Sequence, residues 1–182
     1  MKRLLLGSLL SAIALMIWGF VFWAGGGAAM GFSSLDVEAE QAVMSALAEH
    51  IPETGAYVLP DPETTSLEEW TARHLAGPLA FLHVTRAGTD PMSPRVYVLG
   101  FLHMFIVSFL IGLGMIRVLS PSTSYIRRIG FGGAVGVVVA FWSNLSDPIW
   151  FYEPWPYHLT TSLYDLVSFL IIGAVLGKIV RP

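Results

Sequence analysis

Long uncharged stretches alternate with short polar ones along this chain. No charged residue appears from Leu4 to Trp23, and comparable apolar runs recur at about 96–116, 129–145 and 159–180. A helix rises about 1.5 Å per residue, so a run of about 20 residues covers the roughly 30 Å of hydrocarbon in a bilayer. The pattern predicts four membrane-spanning helices.

The segment between the first two runs is written differently. Ala24–Phe32, rich in glycine, reads as a flexible tether. Ser33–His50 reads as a helix, capped by Ser33 or Ser34, with acids in its first turn and a stripe of Val43, Met44 and Leu47. Pro52 ends it. Gly55–Pro60 is a short strand signal. Ser66–Gly77 is a second helix, with Ser66 as cap, Glu69 completing a capping box and Gly77 as the stop. Pro78–Gly88 alternates Leu79, Phe81 and His83 against Ala80, Leu82 and Val84, as a strand does. The two strands are expected to pair. The predicted fold class is a mainly α membrane protein: four transmembrane helices plus a small α+β module between spans 1 and 2. A module of about 70 residues is marginal by itself, so it is expected to rest on the membrane helices.

Composition fits this reading. The 182 residues are 54% hydrophobic and 13% charged, against about 25% charged in ordinary soluble domains, and the mean hydropathy is +0.65. The basic residues set an orientation. Lys2, Arg3, Arg117, Arg127, Arg128, Lys178 and Arg181 fall at alternate ends of the spans, and the other ends hold Arg73, Arg86 and Arg95. By the positive-inside rule the first group is cytoplasmic, as are both termini, and residues 24–95 and 146–158 are extracytoplasmic. The division is thus helix 4–23, module 24–95 and a three-helix region 96–182. The first run exceeds the roughly 7–15 residues of a signal-peptide core. It ends in Trp18, Phe20, Phe22 and Trp23, suited to an interface belt. An uncleaved signal-anchor helix is favoured over a peptide cut within Ala24–Met30.

Candidate chemistry concentrates at one end of the spans. Residues 144–165 hold three Pro, two Trp, three Tyr, a His and three carboxylates between glycine-rich apolar runs. His103 and Asp165 each lie roughly 10 Å below the outer interface at 1.5 Å per residue. His158 and Asp165, seven apart, share a helix face. A four-helix bundle would gather His103, Asn144, Asp147, His158, Tyr164 and Asp165 beneath an aromatic loop carrying Trp150 and Trp155. Ionisable groups within spans face a partner or water, so the cluster is a ligand, proton or metal site, a set of groups that satisfy one another and fix register, or a place where Asp165 lies close enough to the surface to be hydrated. His with carboxylates can bind a divalent metal, but the spacing matches no HxxxH, HExxH or ExxH signature, and neither a metal nor a cofactor is assigned. The aromatics also suit a membrane interface without further function. His50, His74 and His83 read as helix-end or surface groups.

Small residues four apart, Gly132/Gly136/Ala140, Gly173/Gly177 and Gly7/Ser11, make faces for close helix contact, within the chain or with a protein partner or second copy. Gly130–Gly136 lacks the dinucleotide-loop spacing and lies in a span. No serine-hydrolase elbow, phosphate loop or zinc-protease motif occurs. No basic patch suits nucleic acid. The absence of Cys excludes disulfides, thiolate metal sites and Cys nucleophiles.

The W-G-F-x-x-W motif at Trp18–Trp23, Y-x-x-P at Tyr57–Pro60 and D-L-V-x-x-L-x-x-G from Asp165 into a helix ending in a basic residue and Pro resemble a pattern of small bacterial integral membrane proteins without an assigned activity. The resemblance implies the four-span layout and a bacterial inner-membrane location, and no reaction. The expected function is non-enzymatic: an accessory or scaffold subunit of a larger membrane complex, contacting lipids and partners. The alternative is a small-molecule or lipid-binding protein with an outer-leaflet pocket under the aromatic loop. A membrane enzyme using His103 and Asp165 as an acid–base pair is a third, weaker option.

Overall fold

A computed structural model describes residues 1–180; Arg181, one of the cations used for the orientation, and Pro182 lie outside the described residues. The chain forms two compact units, Met1–Ser33 with Met92–Pro182, and Ser34–Pro91.

The first unit is helical. α1 (Lys2–Phe22) runs through a π-helical turn (Trp23–Gly27) into α2 (Ala28–Gly31). α5 (Pro94–Val118), α6 (Tyr125–Val139), a second π-helical turn (Ala140–Asn144), α7 (Ser146–Trp150) and α8 (Trp155–Ile179) follow. Four helical stretches are long and apolar enough to cross a membrane: Lys2–Gly31, Pro94–Val118, Tyr125–Trp150 and Trp155–Ile179. These suggest a multi-pass membrane protein. The burial pattern agrees. The inward face of α1 is Leu4, Gly7, Ser8, Ser11, Ala12 and Leu15, while Leu5, Leu6, Leu9, Leu10, Ile13 and Ile17 point outward. Small and hydroxylated residues thus turn inward and large apolar ones outward. Lipid rewards that arrangement, whereas water would penalise so large an apolar surface. The Ser8 hydroxyl donates to the Leu4 carbonyl at 2.9 Å, so it enters the interface already satisfied.

Leu4, Leu15, Ile111, Met115, Ile172, Leu176 and Val180 form the core shared by α1, α5 and α8. α6 joins the bundle differently, since its buried residues are Gly132, Gly133 and Gly136. A Cβ on Gly132 would sit 2.5 Å from the Phe169 carbonyl oxygen and 2.8 Å from the Gly173 Cα. One on Gly173 would sit 2.8 Å from the Ile129 carbonyl oxygen, and one on Gly136 2.7 Å from the Phe169 Cβ. Here the two helices touch backbone to backbone. At one end of this contact Arg128 reaches the α8 C-terminus. Its guanidinium donates to the carbonyls of Gly177 (3.2 Å), Val180 (3.1 Å) and Pro121 (3.1 Å), and its Nε to Thr123 (3.0 Å). A cation there meets both the orphan carbonyls and the negative end of the helix dipole.

The glycine run after Trp23 is not a tether. It is helical to Gly31, with one break at Gly26, whose φ of 108° only glycine adopts freely. A Cβ on Gly31 would lie 3.2 Å from the Tyr157 Cα and 3.3 Å from the Thr160 Cβ, so Gly31 serves contact with α8. The third span also continues past the expected end at 145 through α7, and the fourth begins at Trp155 rather than 159. Only a short connection separates them, so the aromatic loop is shorter and more helical than its Pro content suggests. Pro148 lies inside α7 and Pro156 in the first turn of α8, where a missing N–H costs little.

The second unit holds α3 (Val37–His50), β1 (Gly55–Leu59), α4 (Leu67–Ala76) and β2 (Ala80–Val84). The strands pair antiparallel, with Gly55 opposite Val84 and Leu59 opposite Ala80. The Ser66 hydroxyl caps α4 by accepting from the Glu69 N–H at 3.2 Å, and Gly77 closes it at φ 62°. The Glu69 carboxylate, expected to complete a capping box, pairs with Arg73 one turn on instead. α3 is capped by Asp36, which accepts from the Ala39 N–H at 2.8 Å, not by Ser33 or Ser34. Arg86 fastens β2 to α3 through the carbonyls of Ala48 and Ile51, the latter at 2.7 Å. Ile51 is the one buried residue of this unit among the described residues.

The glycine contact generates a paired prediction. Gly173→Ala forces a Cβ into the Ile129 backbone and should lower the stability of the detergent-solubilised protein by about 1–3 kcal/mol. Gly130→Ala, where nothing lies within 4 Å, should be neutral or gain up to about 1 kcal/mol from helix propensity. Thermal unfolding of the two variants side by side measures the difference.

Candidate functional site

The helices run antiparallel to their neighbours. Trp18 of α1 stacks on Tyr164 while Leu4 meets Leu176, and Gly132 of α6 meets Gly173 while Asn144 meets Asp165. His103, Asn144, Asp147, His158, Tyr164 and Asp165 therefore lie toward one end of the bundle, where they form two groups.

The first group surrounds a cavity of about 350 Å³ between α1, α5, α6 and α8. Leu15, Met104, Val107, Val139, Phe169 and Ile172 make most of its wall, and His103, Tyr164, Asp165 and Ser168 are its polar lining. The π-helical turn sets the geometry. Its Leu145 N–H reaches back five residues to the Ala140 carbonyl at 3.0 Å. The extra residue in that turn brings the Asn144 side chain onto α8, where Nδ2 donates to Asp165 Oδ2 at 2.9 Å. Such single wide turns recur at functional positions because they redirect one side chain without ending the helix. Tyr164 is held from α1: its ring lies parallel to Trp18 at 6.1 Å and within 5.3 Å and 5.4 Å of Phe22 and Trp23. Ser168 donates to the Tyr164 carbonyl at 2.7 Å and so is already satisfied. His103 lines the cavity from α5 and is exposed. The Asp165 carboxylate is bonded by Asn144, not by His103.

The second group lies beside the short α7–α8 connection. His158 is buried, and its Nε2 lies 2.8 Å from Glu153 Oε2. Asp147, on α7, accepts from the Ser146 hydroxyl at 3.0 Å. One ligand atom from each of Asp147, Glu153 and His158 falls within 4.8 Å of the others. Tyr152, beside Glu153, sits in the left-handed region at φ 59°, a conformation non-glycine residues adopt mainly where the surroundings impose it.

Of the residues expected to converge, His103, Tyr164 and Asp165 line the cavity and Asn144 braces Asp165 from outside the lining. Asp147 and His158 belong to the second group. Trp150 and Trp155 are 74% and 48% exposed, which suits an interface belt better than a pocket wall. Glu153 is the member that sequence reasoning missed. It sits five residues before His158 in a Pro-rich stretch, a spacing that matches no helix periodicity, so only the fold of the connection joins them. Trp18 was read as a belt residue, whereas it braces Tyr164. Comparison with protein-family models, curated proteins and solved structures found no match for the chain.

Asn144 supplies the hydrogen bond to a carboxylate held within a spanning helix. Asn144→Leu should therefore cost about 1–3 kcal/mol, because Asp165 loses its donor. Adding Asp165→Leu should recover most of that loss, since removing both polar partners abolishes the desolvation penalty. Unfolding of the two single variants and the double variant measures the coupling.

Proposed function

We propose that this protein is a multi-pass membrane protein that binds a small amphipathic molecule, with an apolar body and one hydrogen-bond-donating or cationic head, in the cavity beside Asp165. The observation that carries this reading is an ionisable Asp165 on the wall of a largely apolar space of about 350 Å³. That size falls in the range of small-ligand pockets. A carboxylate within a spanning helix is costly unless it meets a partner. Asn144 contributes one neutral donor, and a ligand head would contribute the rest. The apolar wall would take the body, with His103 at the edge as a second polar contact. The positive-inside distribution supports an orientation with residues 24–95 and 146–158 extracytoplasmic, and the resemblance of the chain to small bacterial integral membrane proteins supports an inner-membrane location.

A second reading, an accessory or scaffold subunit of a larger membrane complex, is favoured by the 34–91 unit. Among the described residues it buries only Ile51, and it leaves Val43 and Met44, adjacent on α3, and Leu67 and Leu75 on α4 exposed, side chains that a protein partner would cover. The glycine faces at Gly132, Gly136 and Gly173 are occupied within the chain, so this unit is the better candidate for partner contact.

Native mass spectrometry of protein released from its own membrane separates the readings. The first predicts a retained small-molecule mass that Asp165→Asn and the cavity-filling Val107→Trp both lose. The second predicts an added protein subunit that neither variant disturbs. An apo monomer contradicts both. Orientation is tested independently, because the chain has no Cys. A membrane-impermeant maleimide should label Glu63→Cys in intact cells and Ser122→Cys only after lysis. The reverse pattern overturns the assignment.

A further inference from the structure

We infer that Asp147, Glu153 and His158 form a binding site for one divalent transition cation. This site is separate from the Asp165 cavity and does not depend on what that cavity holds.

Charge is the first argument. Two carboxylates and one imidazole carry net negative charge even with the imidazole protonated. No Lys or Arg occurs anywhere from residue 129 to 177, and among the described residues the ion-pair partner of this trio is internal, His158 with Glu153. The His158 imidazole is 4% exposed and the Glu153 side chain 27%, so water reaches the carboxylates only in part, and a bound cation would offset their charge.

Geometry is the second. Metal bonds of about 2.1 Å place neighbouring ligand atoms roughly 3.0–3.4 Å apart. The three candidate atoms already lie within 4.8 Å of one another, with His158 Nε2 and Glu153 Oε2 at 2.8 Å. Closing on an ion needs Asp147 to come in by up to about 1–2 Å, well beyond the roughly 0.2 Å latitude of a metal–ligand bond, so a rotation of the Asp147 side chain completes the site as the ion binds. The ligands come from three places, α7, the connection and the first turn of α8, so an ion would fasten that connection to both helices. The Ser146 hydroxyl orients Asp147 from behind at 3.0 Å, as outer-shell partners of ligating carboxylates do. The left-handed Tyr152 holds the backbone turn that delivers Glu153.

The donor set decides the class of ion. One imidazole nitrogen and two carboxylate oxygens, with water free to complete the shell, suit Zn²⁺, Co²⁺, Mn²⁺ or Fe²⁺. Cu⁺, which favours thiolate and thioether sulfur, finds neither among these three ligands.

The test uses tag-free, full-length protein in lipid nanodiscs, stripped with chelator and titrated with Zn²⁺ and Co²⁺. The expected result is about one equivalent bound, with Asp147→Asn and Glu153→Gln each weakening binding roughly tenfold or more. His83→Ala, in the other unit, should leave it unchanged. ¹⁵N-histidine spectra of the unmutated protein make the test independent of any variant's folding: Zn²⁺ should shift one imidazole, that of His158, among the five. Substoichiometric binding, a shift at another histidine, or unaltered affinity in both carboxamide variants would overturn the proposal. Because Asp165 is intact throughout, failure here leaves the cavity reading standing, and loss of the cavity's ligand leaves this one standing.

Discussion

The backbone contact between α6 and α8 governs much of the helical unit. Two apolar helices in lipid gain nothing from burying more apolar surface, because the surrounding chains are as apolar as their side chains. They gain from dispersion at close range and from pairing polar groups that lipid cannot satisfy. Gly132, Gly136 and Gly173 remove the side chains that would hold the helices apart. Once the axes are that close, both ends of the pair fall into register. At one end Arg128 reaches the last carbonyls of α8. At the other, Asn144 reaches Asp165. Neither interaction survives a large shift of one helix along the other, so the glycine contact and the two polar clamps specify a single alignment together.

Much of the architecture was legible in the sequence because it rests on strong local signals. Four apolar runs gave four long helices. Alternation in Pro78–Gly88 gave β2, and Ser66 with Gly77 bounded α4. The four-residue spacing of Gly132, Gly136 and Gly173/Gly177 marked packing faces. What stayed hidden depends on geometry that composition does not carry. The π-helical turn at Ala140–Asn144 looks like ordinary helix in sequence. The glycines at 25–31 look like a linker, and only the approach of α8 to Gly31 makes the end of that run a packing surface. Asp36 competed with two serines for one cap, and nothing local decided between them. Inside a span, nearly every position is apolar, so periodicity does not mark the inward face. On α1 that face is read instead from small and hydroxylated residues.

The candidate site was half legible. Asp165, Tyr164, Asn144 and His103 stood out as polar groups at one depth, and the antiparallel packing brings them to one end. Their division from Asp147 and His158 was not legible, because it follows from the extra residue in the Ala140–Asn144 turn and from the path of the α7–α8 connection, which pairs His158 with Glu153. The outcome is an apolar cavity with one carboxylate on its wall and a separate cluster of one imidazole and two carboxylates. The 34–91 unit adds a separate theme, a paired sheet and two capped helices that form almost no core.

The most direct test of the account is the distance between α6 and α8 in a bilayer. Solid-state NMR of ¹³C-glycine-labelled protein in lipid should show a Cα–Cα cross-peak between Gly132 and Gly173, since a Cβ on the first would lie 2.8 Å from the Cα of the second. Finding that peak, far apart in sequence and absent in a Gly136→Leu variant, is the predicted result. A spectrum with cross-peaks only between glycines near in sequence would mean that the helices do not meet through these residues, and the placement of Asn144 on Asp165 would fall with it.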